Sequence, residues 1–202
     1  MLTRRQLVAG LGSAFVSAGV VSSTAAFTAT SSSSEASFTV VYPRLIELTP
    51  ANDPPIHVET NSENRVTAIT PGGDTGLNQR AITQFADIVE VANSGTIDLT
   101  GLYFEFEAES DTLSTETLSD VEDALSVTAG GDTLETTGGS GDDLLAVSPD
   151  DAAGDGVLTP GESVPFGVQV DLIADHGPST LTDLPDPEDY EMTLRVLVEG
   201  EE

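Results

Sequence analysis

The chain contains no cysteine, no tryptophan and no lysine. Without cysteine there is no disulfide, no thiolate nucleophile, no zinc–thiolate site and no thiol for a lipid anchor. Without tryptophan the usual sugar-stacking platform is missing. Carboxylate pairs arise by chance among 35 acidic residues, so they do not by themselves point to glycoside hydrolysis. Histidine is scarce too. His57 and His176 lie far apart, each in a proline-flanked stretch, with no His-Glu-x-x-His metalloprotease motif. There is no Gly-x-Ser-x-Gly elbow and no phosphate loop. These absences leave surface loop histidines as the ordinary reading. A two-histidine zinc site assembled from distant loops is the other, and a metalloprotease-like enzyme ranks third among the functions considered. The reading is that the chain is not an enzyme.

Positive charge is nearly absent. Six arginines face 35 acidic residues, a formal net charge of −29. Two of the six, Arg4 and Arg5, sit at the extreme N-terminus, so the remainder is more acidic still. Such a surface repels nucleic acid and anionic membranes, which are bound through lysine and arginine. An ordinary acidic secreted protein is one reading of this balance. Loss of every lysine suits a chain that stays hydrated in concentrated salt, where the Debye length falls to about 3 Å at 1 M. A halophilic host is expected.

Long apolar runs are also lacking, with one exception. Leu7 to Val21 (LVAGLGSAFVSAGVV) carries no charge, follows Arg4-Arg5, and precedes the small residues Ser22 to Ala26. This is the order of a cleaved signal peptide, an uncleaved membrane anchor being the other reading. At about 15 residues the run is short of the roughly 20 that span a bilayer. Thr3-Arg4-Arg5-Gln6-Leu7-Val8 resembles a twin-arginine export signal. The expected organisation is a signal peptide over 1–26 cut after Ala26, a polar N-terminal segment over 27–37, and one domain over 38–202. The ~176 residues beyond the cut are enough for a single domain with a sizeable core. The product is expected outside the cell or at its surface, with no membrane span in the mature chain.

What is present is strand pattern. Phe38 to Leu48 is β-rich, with Pro43 at a bend or edge. Arg65 to Thr70 alternates weakly, and Pro71 to Gly76 is a turn cluster. Ala81 to Ala92 reads as a strand, followed by an Asn93-Ser94-Gly95 turn. Leu102, Phe104, Phe106 and Ala108 share one face of a strand, with Tyr103, Glu105 and Glu107 on the other. Val164, Phe166, Val168, Val170 and Leu172 form a second such face, and Met192, Leu194, Val196 and Val198 a third. Val127 to Leu134 reads as a hairpin about Gly130-Gly131, and Thr136 to Asp143 as a glycine-rich loop. Ser114 to Leu125 is the one stretch spaced for a helix. The spacing predicts an all-β, antiparallel, jelly-roll-like sandwich of about 7–9 strands with at most one short helix over about 114–125.

One metal pattern stands out. Asp151-x-x-x-Asp155-Gly156-x-Leu158-Thr159-x-x-Glu162 places carboxylates and a glycine as a calcium loop does at positions 1, 5, 6 and 12. Ala153 cannot ligate at position 3, and Pro160-Gly161 excludes the usual exiting helix. Both an acidic turn and a calcium site through Asp151, Asp155 and Glu162 stay open; calcium is the single cofactor the sequence brings forward.

Three pieces together resemble the TasA/camelysin family of secreted fibre proteins. They are the Ala25-Ala26-Phe27 junction leading to Ser37-Phe38-Thr39, the run Phe85 to Leu99 about Asn93-Ser94-Gly95, and Leu158-Thr159-Pro160-Gly161-Glu162-Ser163-Val164 before an alternating strand. The twin-arginine start and the lack of lysine depart from that family's pattern. The resemblance implies a jelly-roll-like sandwich that polymerises outside the cell, copies of itself or other surface proteins being its partners. The N-terminal segment of one subunit adds a strand to the next. Phe27, Thr28, Ala29 and Thr30, with the run on to Phe38, form the candidate donor. A disordered stalk is the other reading of the same serine-rich stretch. A monomeric or surface-associated binding module is the alternative function.

Overall fold

The computed structural model describes residues 33–34, 36–73, 76–147, 156–174 and 176–200. The signal-peptide residues Arg4, Arg5 and Ala26, the donor residues Phe27 to Thr30, and the calcium-loop residues Asp151 and Asp155 lie outside the described residues.

The strongest alternating segments form the centre of the fold. Strand β8 (Leu99–Glu109), strand β11 (Ser163–Asp171) and strand β12 (Glu191–Gly200) occupy the three runs with period-two patterning. Their apolar faces, Leu102, Phe104, Phe106, Val164, Phe166, Val168, Val170, Met192, Leu194 and Val196, are all buried. Ala108 and Val198, at the strand ends, are only half-buried and pack against the edge of the core. Each fully buried Val, Leu, Phe or Met side chain contributes about 1.5–3 kcal/mol. Phe104 of β8 meets Phe166 of β11 with ring centroids 4.9 Å apart.

Around these three lie β1 (Ser33–Ser34), β2 (Phe38–Val41), β3 (Ile46–Pro50), β4 (Val58–Thr60), β5 (Val66–Ile69), β6 (Leu77–Asn78), β7 (Ile82–Asn93), β9 (Leu125–Ala129) and β10 (Asp132–Leu134). One five-stranded sheet runs β10-β9-β11-β7-β3 and a second runs β4-β5-β2-β12-β8, with β1 and β6 as a separate two-stranded pair. The two large sheets form an all-β sandwich, as the alternation requires. Ten strands in the main sheets exceed the expected 7–9. The excess comes from short pieces. Pro43 breaks the run Phe38 to Leu48 into β2 and β3, which lie in different sheets, and β4 and β10 have only three residues each. The pairing is antiparallel except between β2 and β12, which run parallel through Thr39↔Thr193 and Val41↔Arg195.

Helix α1 (Thr115–Asp123) falls where the spacing placed it. Ser114 caps it by accepting the Thr117 N–H at 3.2 Å, and Glu116 sits in its first turn, where the helix dipole favours a carboxylate. Leu125, read as the helix's last apolar contact, opens β9 instead. A second short helix, α2 (Leu144–Val147), was not expected. Asp143 starts it, accepting the Leu145 N–H at 3.0 Å, and it buries Leu144 and Leu145. The β9–β10 hairpin turns through Gly130 (φ 59°) and Gly131 (φ 98°), two consecutive positive values that favour glycine.

Strand β7 is bulged. Phe166 pairs with Val89 but Val168 pairs with Phe85, so Gly167 alone faces Ala86 to Ile88. Asp87 takes φ 49° there. A Cβ on Gly167 would collide with the Phe85 carbonyl, so the bulge requires glycine opposite it.

Candidate functional site

The two turns singled out by resemblance come together in space. Asn93, the last residue of β7, is 1% exposed. Its Nδ2 donates to the carbonyls of Ile97 at 2.9 Å and Leu158 at 2.8 Å, and its Oδ1 accepts the Gly95 N–H at 2.9 Å. Its backbone N–H donates to the Glu162 carbonyl at 2.9 Å, and its carbonyl accepts the Gly161 N–H at 2.8 Å. Leu99 and Leu158 exchange a pair of backbone bonds beside it. One side chain therefore ties the β7–β8 corner to the turn that leads into β11. Every polar group of Asn93 is matched, which is what its burial demands.

Glu162, the one calcium-loop carboxylate among the described residues, belongs to this corner. Its Oε2 accepts the Thr159 N–H at 2.8 Å, and its backbone N–H donates to the Thr159 carbonyl at 3.0 Å. The carboxylate closes its own turn. Among the described residues no three acidic or histidine side chains are grouped to hold a metal ion.

The histidines have separate partners. His57, at φ 63°, packs against Phe85 of β7 with ring centroids 4.4 Å apart and the rings tilted by 58°. His176 Nδ1 lies 2.6 Å from Asp171 Oδ2 at the end of β11.

Two open grooves mark the surface. One, of about 870 Å³, lies where β8 ends and β12 begins, with Glu109, Asp111, Glu188, Asp189 and Glu191 on its walls. The other, of about 780 Å³, runs past Glu105, Glu122, Asp123, Glu135, Asp171 and His176. Burial and the neighbouring Asp120 raise the Asp123 carboxyl above the ordinary carboxylate range, although the side chain is largely exposed. Acidic walls of this kind hold water and cations and repel anions. Two of the few arginines are spent on local pairs: Arg65 Nε with Glu47 at 3.1 Å and Arg195 Nε with Glu107 at 2.7 Å.

No protein-family model, curated protein or solved structure matches the chain. Function therefore has to be argued from this molecule alone. The described residues contain no helix long and apolar enough to cross a membrane.

Of the donor segment, Phe38 is described, and it belongs to the chain's own core. It is 2% exposed in β2 and meets Phe106 edge to face at 5.3 Å. Ahead of it, Ser33 and Ser34 are extended and pair antiparallel with Asn78 and Leu77. Sequence reading missed the partner strand β6, whose two residues sit among glycine, glutamine and arginine with no alternation to betray them. Asn93 was legible as a turn residue but not as a buried hub, because its contacts with Leu158 and Glu162 are remote in sequence.

Proposed function

We propose that this chain is an exported, non-catalytic structural subunit of an extracellular filament or matrix in a halophilic organism, joined to its neighbours by its N-terminal segment. One observation carries the reading. The residues just ahead of the sandwich are used as a strand, Ser33–Ser34 adding to Leu77–Asn78 of β6. A stalk has no need of such pairing. An added strand does, and the same backbone bonds form equally well with a segment from the next subunit. The meeting of the Asn93 and Leu158–Glu162 turns also supports the reading, since both were quoted for the resemblance to fibre-forming proteins.

Electron microscopy of the mature protein in molar salt is the test. Filaments are expected, and they are expected to vanish when the chain begins at Ala36. That cut removes β1 while keeping Ala36 and Phe38, both buried. Filaments that persist would remove the N-terminal segment from the mechanism. Single particles from both forms would favour a surface-associated binding module.

A further inference from the structure

Strand β8 is an edge of its sheet: β12 is its strand partner there, and its eleven residues make it longer than the other edge strands β3, β4 and β10. Such an edge, left bare, is a template for pairing with another chain. Here it is covered by two carboxylates and a backbone bridge from elsewhere in the chain. Asp143 Oδ1 accepts the Leu102 N–H at 2.9 Å, and Glu122 Oε1 accepts the Ala108 N–H at 2.7 Å. Between them Glu105 forms an isolated antiparallel bridge with Thr137. The two carboxylates come from the start of α2 and the last turn of α1, segments that pack against β8.

We propose that Glu122 and Asp143 guard the β8 edge, and that without them β8 pairs antiparallel with β8 of a second copy. A second copy fits for two reasons. Antiparallel pairing is what β8 already does with β12, and a two-fold β8–β8 pair closes on itself after one partner. Glu105, Glu107 and Glu109 lie on this strand, so two copies meet with like charges close together. Pairing of unguarded edges is therefore favoured by molar salt. The guards confine assembly to other surfaces, including the N-terminal segment if the filament reading holds.

The experiment compares the parent chain with Glu122→Ala/Asp143→Ala by amide exchange at Leu102 and Ala108 and by sedimentation, at low and molar salt. In low salt both amides are expected to exchange on the order of tenfold faster in the variant, because each loses a bond to a charged acceptor. In molar salt they become protected again as protein concentration rises, and the sedimenting unit doubles in mass relative to the parent. Glu122→Gln/Asp143→Asn keeps an acceptor oxygen at each place and behaves as the parent. Unchanged exchange in the alanine variant overturns the proposal, as do opened amides with no concentration-dependent association. Circular dichroism reports whether the variant folds. If it does not, Glu122→Ala alone opens the Ala108 end and is read in the same way. The readings are differences from the parent, so they stand whether or not the parent forms filaments.

Discussion

Asn93 holds the corner where β7 passes to β8, and its replacement isolates what one buried polar side chain contributes. Asn93→Ala strands the carbonyl of Ile97 and the N–H of Gly95, and leaves the Leu158 carbonyl with the Leu99 N–H as its remaining donor. An unmatched buried polar group costs about 1–3 kcal/mol, so a loss of about 2–4 kcal/mol is expected in denaturant titration. A loss below about 0.5 kcal/mol, within the range of ordinary surface substitutions, would mean that the corner is held by its backbone bonds alone. Asp123 tests the acidic surface at the same scale. Its folded pKa is raised by burial and by Asp120, and it closes α1 at the end where the dipole disfavours a carboxylate. The sign follows: the ionised form is the one the fold disfavours. Above the folded pKa the charge weakens the protein, and below the ordinary carboxylate value the weakness is gone. Asp123→Asn is expected to raise Tm at pH 7 by about 1 °C, a small gain for an exposed group, and to make no difference near pH 3. Thermal scans at the two pH values check it.

Among the elements, legibility followed alternation. β8, β11 and β12 could be read because each buries one face and wets the other, so period two is written into Leu102-Tyr103-Phe104-Glu105-Phe106 and its counterparts. The Gly130-Gly131 hairpin and the Ser114-capped helix were legible because their chemistry is local. Helix α2 was not, since four residues carry too little periodicity to show. The parallel β2–β12 pair was not, since strand partners far apart in sequence leave no mark on either strand. The β7 bulge was hidden for the same reason: Gly167 is required by the Phe85 carbonyl on another strand. Gly167→Ala overpacks that contact and is expected to cost about 1–3 kcal/mol, measured by chemical denaturation. Neutral behaviour there would show that β7 and β11 can separate locally at no cost.

Across the whole molecule charge dominates. At −29 overall the folded chain repels itself, and the few arginines are too sparse to offset it. Lowering salt from about 1 M to 0.1 M lengthens screening from about 3 to 10 Å and is expected to lower Tm progressively. A Tm independent of salt would contradict the halophilic reading. The candidate site was less legible than the fold. The sequence marked the N-terminal segment as polar and compatible with either a donor strand or a stalk, and the turns about Asn93 and Glu162 as two pieces of one family resemblance. It could not reveal the β1–β6 register or the guarded β8 edge, both products of tertiary contact. That register permits a decisive measurement, since the chain has no cysteine to interfere. Ser33 faces Asn78 across the β1–β6 pair, and opposed residues there approach closely enough for a disulfide. Mixing Ser33→Cys protein with Asn78→Cys protein under oxidation in molar salt is expected, on the proposal that the segment of one subunit pairs with β6 of the next, to give a mixed disulfide joining one copy of each. A disulfide that forms only when both cysteines lie in one chain would contradict strand exchange between subunits.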